Sequence, residues 1–224
     1  METKGTVDGQ SSFLRVARRK RDCRVLGPGK RAVVWFHGCS RGCRGCIAVE
    51  MNHSNDYKSM MARELYDWVV DCENIEGVTL SGGEPLEQDT AALCEFLRLV
   101  REDKRDLGVI LFTGYRLNEL EKNGKNDIIQ YIDVLVDGPY VDELNDGFGL
   151  CGSSNQRIHF LTSRYEGMQD IFFGSGGRNL EFDVDMYNNV IINGIPARGF
   201  LEGFTQKIHE QGYGISFEDR KKES

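Results

Sequence analysis

The sequence predicts an α/β fold built on a parallel sheet. Short runs of β-branched and other apolar residues alternate with longer segments whose apolar residues recur at helical spacing. Strands and helices that alternate in this way form parallel sheets with right-handed crossover connections. A loop rich in glycine and polar residues follows each predicted strand, and in α/β proteins such loops carry the chemistry.

Four strands and the helices between them follow from this pattern in chain order. The helical patterns comprise one that begins at an Asn55 or Asp56 cap and includes Met60, one through residues 92–100, and one over residues 117–131. Because parallel strands end at the same edge of a sheet, we expect the loops after the strands to open on one face. The predicted strands are residues 32–36, 77–80, 109–112 and 132–136.

The pattern changes after Pro139. Alternating residues on either side of Asn188 and Asn189 are typical of a β-hairpin. The elements predicted for this part are a loop over residues 147–155, a strand over 157–161, a flexible connection over 166–179, the hairpin over 180–193 and a helix over 199–211.

The net charge of −7 is unevenly distributed. Residues 1–44 carry a net charge of +8, with the densest basic stretch at residues 15–21. One interpretation of this stretch is a solvated face or a mobile N-terminal arm, with the arm spanning residues 1–24. The other is a docking surface for an acidic protein partner. Nucleic-acid binding is disfavoured because the acidic remainder would repel phosphate. The sequence has no apolar run of the roughly 20 residues that a membrane helix needs and no signal-peptide pattern, so we expect a cytoplasmic protein.

Three of the seven cysteines, Cys39, Cys43 and Cys46, fall within eight residues. Thiolates suit both zinc and iron–sulfur clusters. A structural zinc site usually has four ligands, and a second cysteine pair of the usual spacing is missing here. Three ligands on a four-iron cluster leave one iron open to bind a small molecule. Cys151 stays open as a distant fourth ligand.

The cysteine spacing after one strand, with Gly-Gly-Glu-Pro after the next, resembles the radical S-adenosylmethionine superfamily. The resemblance is strongest to the activating proteins of anaerobic (class III) ribonucleotide reductase and related 4Fe-4S single-cluster proteins. It implies a partial (β/α) barrel for a core domain over residues 25–165. Beyond that core, the residue pattern predicts a C-terminal extension, the β-hairpin plus helix, over residues 166–224. The matching motifs, in order, lie at residues 27–31, 39–46, 81–85, 113–115, 133–139 and 152–157.

The resemblance implies that the three cysteines hold a 4Fe-4S cluster and that its open iron binds S-adenosylmethionine. One-electron reduction then gives methionine and a 5′-deoxyadenosyl radical, which in activating proteins removes a hydrogen atom from a glycine of the partner enzyme. Flavodoxin or ferredoxin is the expected electron donor, since the chain lacks cysteines spaced for a second cluster. The predicted cofactor-binding residues are Ser81, Gly82, Gly83, Glu84, Pro85, Thr113, Tyr115 and Asp137.

The chemistry of three of these side chains is compatible with those roles. Glu84 could accept a hydrogen bond from the substrate ammonium, Tyr115 could flank adenine, and Asp137 could orient a ribose hydroxyl. Each also has an ordinary interpretation: a plain turn, an aromatic residue at the solvent edge and a loop cap, respectively. The sequence alone leaves both interpretations open.

Two departures from the activating proteins leave the target of the radical open. Ile47 and Ala48 stand where those proteins commonly have an aromatic residue and Asn, and the chain continues well past residue 157. Three functions therefore stay in view. The first is an activase for a glycyl radical enzyme, the second a stand-alone radical enzyme for a small molecule or peptide, and the third a non-catalytic iron–sulfur or zinc protein.

Overall fold

The computed structural model describes residues 12–53, 55–103, 105–122, 124–174, 176–184, 186–187 and 189–214. Strands β1 to β9 are Leu14–Cys23, Arg31–Phe36, Lys58–Met60, Gly77–Gly82, Gly108–Phe112, Val134–Asp137, Arg157–Phe160, Leu180–Val184 and Val190–Gly194. Helices α1 to α7 are Glu50–His53, Ala62–Val70, Thr90–Arg101, Leu117–Lys122, Asn126–Ile129, Gln169–Phe173 and Phe200–Glu210.

Seven strands form one sheet in the order β3-β1-β2-β4-β5-β6-β7, and β8 and β9 form a separate hairpin. The central strands β2, β4, β5 and β6 are parallel, whereas β1, β3 and β7 pair in the antiparallel sense. The predicted α/β class and parallel core are confirmed. The sheet is open, with β3 and β7 at its edges, so the described residues do not form a closed barrel.

Helices cover one face of the sheet. The central strands are buried on both faces, which explains why their sequences are continuous apolar runs. Val34 and Phe36 of β2 and Leu80 of β4 point toward the helices, where they pack with Leu65 of α2 and Phe96 of α3 in the main core. Asp89 caps α3 by accepting a hydrogen bond from the Ala92 amide at 2.9 Å.

The chain after Pro139 covers much of the other face. Ile110 of β5 and Val134 of β6 pack with Phe172 of α6. Farther along the same face, Trp35 of β2 packs near Ile195, just after the hairpin. The extension is therefore part of the sheet's packing rather than a detached lid.

The predicted N-terminal arm is wrong for residues 14–23, which form strand β1 of the main sheet. A β-bulge between Val16 and Arg18 changes which face the following side chains occupy. Val16 faces the helices, but the Arg18 guanidinium lies 4.0 Å from the centre of the Trp35 ring on the opposite face. The basic stretch is thus half-buried structure, while residues 1–11 of the predicted arm lie outside the described residues.

The first predicted helix begins later than expected. It starts at Ala62, and Met60 belongs to β3, where it pairs with Leu14. The apolar spacing from Met60 into α2 is helical, so the sequence pattern conceals the strand. The connection predicted over residues 166–179 contains α6, which is anchored by the buried Phe172.

The other elements follow the prediction closely. The helical segment over residues 117–131 is interrupted near Gly124, and the predicted hairpin and C-terminal helix are present as β8, β9 and α7. Asn188 lies outside the described residues. None of the helices in the described ranges is long and apolar enough to cross a membrane.

Candidate functional site

The loop that carries the three cysteines is joined directly to the loop after β4. The Gly83 amide donates to the Phe36 carbonyl and the Glu84 amide donates to the Gly38 carbonyl, both at 2.8 Å. Cys39 is the residue after Gly38. The backbone therefore fixes the cysteine loop against the Gly-Gly-Glu-Pro turn without the help of any side chain.

This junction admits only glycine at two positions. Gly82 has a φ of +98°, and a Cβ there would lie 2.6 Å from the Phe36 amide nitrogen. A Cβ on Gly83 would lie 2.3 Å from the Gly38 carbonyl oxygen. Both contacts are with backbone that cannot move aside, so the two glycines allow the loops to approach.

Glu84 ties the loop after β4 to the loop after β5. Its carboxylate, 1% exposed, accepts hydrogen bonds from Thr113 Oγ1 at 2.7 Å, the Gly114 amide at 2.8 Å and the Leu86 amide at 3.1 Å. Burial raises the pKa of Glu84 to about 7, although these hydrogen bonds act in the opposite direction. Since three of about four acceptor sites are used, the carboxylate mainly positions the loops. Thr113, predicted to bind cofactor, serves as one of its donors.

The sequence interpretation missed a second carboxylate, Glu87. It accepts hydrogen bonds from the Ser40 amide and from the Tyr115 hydroxyl, both at 2.9 Å, and the Arg41 guanidinium lies 4.6 Å from the centre of the Tyr115 ring. Burial pushes the pKa of Glu87 upward, but hydrogen bonds from Ser40 and Tyr115 outweigh it and lower the pKa below its ordinary value. Tyr115 is thereby fixed beside the cysteine loop. An acidic residue two positions after Pro85 was the available signal.

Gln88 was also missed, and it connects three elements. Its Nε2 donates to the His37 carbonyl at 2.9 Å, and its Oε1 accepts from the Arg15 amide at 3.0 Å. Gln88 therefore holds the start of the cysteine loop to β1. Nothing in its local sequence separates it from an ordinary helix-capping glutamine.

The fourth loop meets the others through Asp137 at the end of β6. Its Oδ2 accepts from the Leu117 amide at 2.7 Å and lies 3.0 Å from His159 Nε2. Its Oδ1 is buried and accepts no hydrogen bond from the described part of the chain. The Gly138 amide donates to the Tyr115 carbonyl at 2.9 Å. The prediction that the four loops share one face is confirmed.

The three cysteines lie in a half-buried loop that turns through Gly42 and Gly45, with φ values of +60° and +73°. Burial raises the pKa of the Cys39 and Cys46 thiols, and the negative charges of Glu84 and Glu87 add to the effect at Cys39. Within the described ranges, no three His, Cys, Asp or Glu side chains meet as ligands of one ion. A cubane cluster binds each thiolate at a different iron and needs no such meeting point. Three thiolates in one glycine-turned loop thus fit a 4Fe-4S cluster, which would displace their protons.

The predicted loop over residues 147–155 is held by hydrogen bonds from side-chain amides. Gln156 Oε1 accepts from the Gly152 amide, and its Nε2 donates to the Gly138 carbonyl, both at 2.7 Å. Asn155 Nδ2 donates to the Pro139 carbonyl at 2.8 Å. These contacts hold the loop against the Asp-Gly-Pro turn that follows β6.

The C-terminal extension contacts the mouth of the site, which is defined here as Asp142, Asn145 and the loop over residues 147–155. Arg178, almost fully buried, donates to the Cys151 carbonyl, to the Gly149 carbonyl at 3.2 Å and to Asn145 Oδ1 at 2.8 Å. Arg198 Nε lies 3.0 Å from Asp142 Oδ2. Asp142 in turn borders the cysteine loop, since a Cβ on Gly45 would lie 3.0 Å from its Cβ.

Comparison with known proteins agrees with this arrangement. Residues 25–159 match the family described as a 4Fe-4S single cluster domain. Anaerobic ribonucleoside-triphosphate reductase-activating proteins of Haemophilus influenzae and Vibrio cholerae are each 33% identical over 147 residues, which cover 60% and 62% of this chain and 90% and 92% of theirs. The corresponding protein of Enterobacteria phage T4 is 27% identical over 146 residues, which cover 60% of this chain and 86% of the phage protein.

Among solved structures, QueE from Escherichia coli is similar with 15% identity and a TM-score of 0.39 over 46% of this chain and 53% of QueE. Residues 25–159, which match the 4Fe-4S single cluster domain, include the three cysteines and all four strand-end loops. The chain therefore belongs to the 4Fe-4S single cluster domain family, as a relative of the anaerobic ribonucleoside-triphosphate reductase-activating proteins.

Proposed function

We propose that this chain is a radical S-adenosylmethionine oxidoreductase that activates a glycyl radical enzyme of the anaerobic ribonucleotide reductase type. The observation that carries the proposal is the backbone junction between the cysteine loop and residues 82–85. It places a three-thiolate loop against a glycine turn in a chain that aligns with 90% of an activating protein. Cys39, Cys43 and Cys46 would hold the 4Fe-4S cluster.

When bound, the cluster would supply one electron to the sulfonium of S-adenosylmethionine, giving methionine and a 5′-deoxyadenosyl radical. The backbone of residues 82–85 would hold the amino end of the substrate, while the Glu84 carboxylate keeps that turn in place. Asp137 Oδ1, buried and without a hydrogen-bond donor in the described residues, has the free acceptor that a ribose hydroxyl needs. Tyr115, fixed by Glu87, would flank adenine. Half-buried Ser81 would line the same face.

Three further proposals complete this assignment. Reduced flavodoxin or ferredoxin would donate the electron. The open sheet would correspond to the partial (β/α) barrel that the family resemblance implies. Residues 25–165 would act as the catalytic core, with residues 166–224 as an added element, although α6 and Ile195 pack on the core's own sheet.

The test uses the anaerobically reconstituted full chain, reduced with dithionite and mixed with S-adenosylmethionine. We expect 5′-deoxyadenosine by chromatography and, with an anaerobic ribonucleotide reductase from the same source, a glycyl-radical doublet by electron paramagnetic resonance. The matched control is Cys39→Ala. Deoxyadenosine without a doublet would contradict the activase assignment. An intact cluster that yields no deoxyadenosine would contradict radical chemistry altogether and favour the non-catalytic alternative.

One observation favours a second candidate, a stand-alone radical enzyme that modifies a small molecule or peptide. The extension reaches the mouth of the site through Arg178 and through the Arg198–Asp142 contact, and such a cover suits an enzyme that encloses its own substrate. Arg198→Ala tests this, because it removes the contact with Asp142 through an exposed side chain that does not belong to the core. Faster uncoupled deoxyadenosine formation in this variant would support the stand-alone enzyme. An unchanged rate with full glycyl-radical yield would support the activase.

A further inference from the structure

We propose that a basic groove on β1 is the docking site for an acidic redox protein that delivers electrons to the cysteine loop. This inference rests on the proposed function, because only a reducible cluster needs an electron donor. The groove, of about 600 Å³, is called the arginine groove below. Its basic and aromatic lining consists of Arg18, Arg19, Arg21, Tyr57, Lys58 and Trp68.

The arginine groove exists because β1 is only partly covered along one edge. Strand β3 pairs with Leu14–Val16 alone, so in the described ranges the rest of that edge has no strand partner. The bulge after Val16 then sends Arg18 toward Trp35, whereas Arg19 and Arg21 turn toward α2. An exposed sheet edge lined with guanidinium groups is the result.

Arg19 and Arg21 of the groove are held in place by aromatic and backbone contacts. The guanidiniums of Arg19 and Arg21 lie 4.8 Å and 5.8 Å from the centre of the Trp68 ring, and Arg21 also donates to the Asp71 carbonyl at 2.8 Å. Neither arginine makes an ion pair with any of the described residues. The lining contains four cationic side chains and one carboxylate, Asp56. Preorganised positive charge of this kind favours an acidic protein surface.

The groove connects to the cysteine loop through two stacked rings. Tyr57 lines the groove, and its ring stacks on that of His37 with centroids 4.4 Å apart and planes inclined by 26°. His37, mostly buried, is two residues before Cys39, and its amide donates to the Arg15 carbonyl of β1 at 2.8 Å. An electron that enters at the groove would pass through these rings to the segment that begins the cysteine loop. One electron would leave the reduced flavin or iron–sulfur centre of the donor and reduce the cluster by one electron.

The electron donor and the enzyme to be activated would bind at different places on this chain. Val16 pairs with Phe36 at the carboxyl end of β2, whereas Lys20 pairs with Val33. The groove therefore extends along β1 away from the strand-end loops. A glycine that gives up hydrogen must reach those loops, so the groove leaves them free for the target.

The test is a double charge reversal, Arg19→Glu with Arg21→Glu, in the reconstituted full chain. Binding to an acidic flavodoxin is measured by calorimetry at low and moderate salt, and deoxyadenosine formation is measured with reduced flavodoxin and with dithionite. We expect the Kd for flavodoxin to rise by about tenfold or more, its salt dependence to weaken and the flavodoxin-driven rate to fall correspondingly. The dithionite-driven rate should stay within about twofold of wild type, since a small reductant needs no docking surface.

The matched control reverses two exposed cations outside the groove, Arg98→Glu with Lys122→Glu, and should leave flavodoxin binding unchanged. Wild-type affinity and flavodoxin-driven rate in the groove variant would overturn the inference. So would loss of reductase binding with flavodoxin binding intact, which would make the groove a target-docking site.

If dithionite-driven turnover is lost in the groove variant, the same measurements are made on the milder variant, Arg19→Gln with Arg21→Gln. Its loss of the same turnover would also overturn the inference. Failure of wild type to cleave S-adenosylmethionine with dithionite would instead count against the proposed function.

Discussion

The strand-end site and the C-terminal extension are built from different kinds of contact. At the site, backbone hydrogen bonds and two obligatory glycines join the loops, and the buried Glu84 carboxylate links them further. The extension is attached mostly through side chains, such as Lys20 to Asp183 at 2.8 Å, and its main chain adds two hydrogen bonds to residues 147 and 150. The geometry of the proposed chemistry is thus fixed by the main chain, whereas the region around it can be changed by side-chain substitution.

Aromatic packing illustrates the looser construction of the extension. Phe182 of the hairpin stacks on Phe204 of α7 at 5.5 Å between ring centroids, and Phe200 lies 5.8 Å from Phe204. Phe182 is nevertheless 45% exposed. This cluster holds α7 to the hairpin but excludes water only in part, so it stabilises the extension less than the main core stabilises the sheet.

The largest expected effect is loss of the cluster, which should follow from substitutions in the cysteine loop and not from one in the loop that the extension contacts. Replacement of Cys39, Cys43 or Cys46 by Ala should abolish cluster assembly and deoxyadenosine formation together, because each thiolate would ligate its own iron. Iron content, visible absorption and turnover of the reconstituted protein measure this. Cys151→Ala, in the loop clamped by the extension, is the control and should keep all three. A cluster that survives loss of one of the three cysteines would contradict the ligand assignment.

The pH dependence of stability should reveal the buried Glu84 carboxyl. Its pKa of about 7 in the folded chain lies above its ordinary value of 4.5, so the folded state holds the proton more tightly. This stabilisation is fully present below about pH 4.5 and is lost as pH rises through about 7, a change on the order of 3 kcal/mol. Glu84→Gln has no proton to lose there. Urea unfolding of the metal-free protein from pH 4.5 to 8 should show a wild-type free energy that falls relative to the variant, and parallel curves would refute the assignment.

Two glycine substitutions, one in the site and one in the extension, should change the free energy of unfolding in opposite directions. Gly83→Ala places a Cβ 2.3 Å from the Gly38 carbonyl oxygen and should destabilise the chain by about 1–3 kcal/mol. Gly203→Ala in α7 meets no atom within 4 Å and should stabilise the helix by roughly 0.5–1 kcal/mol. Chemical denaturation measures both. If Gly83→Ala proved as stable as wild type, the junction would be less rigid than its geometry requires.

The elements of the fold differ in how far the sequence predicts them. The parallel strands and the glycine turns could be predicted because local patterns encode them: continuous apolar runs, and glycines directly after strands. Strand β1 could not, because most of its residues are polar and its bulges break the alternation that identifies a strand. Its stability depends on Trp35 and Trp68, which are distant in sequence. The same reason conceals β3, which has three residues and a partner more than forty positions away.

The site shows the same division between local and long-range information. The cysteines stood out by their spacing and residues 81–85 by the family resemblance, and the shared face of the loops followed from strand order. The partners of Glu84 could not be identified from the sequence, because its hydrogen bond with Thr113 exists only once β4 and β5 are adjacent. Glu87, which fixes Tyr115 across 28 positions of sequence, was missed for the same reason.

The most localised effect is expected at the point where Arg178 of the extension contacts the mouth of the site. Arg178→Lys keeps the charge but loses the planar fork that reaches Asn145 and several carbonyls of residues 148–152, so we expect a loss of about 1 kcal/mol. Because those partners all lie in one loop, the loss should be local. Hydrogen–deuterium exchange should rise in residues 145–152 and stay unchanged in residues 79–84, while Arg63→Lys, a substitution on the exposed face of α2, should alter neither. Equal deprotection of both segments would mean that the extension supports the backbone junction itself, and the contrast between the two regions would then be wrong.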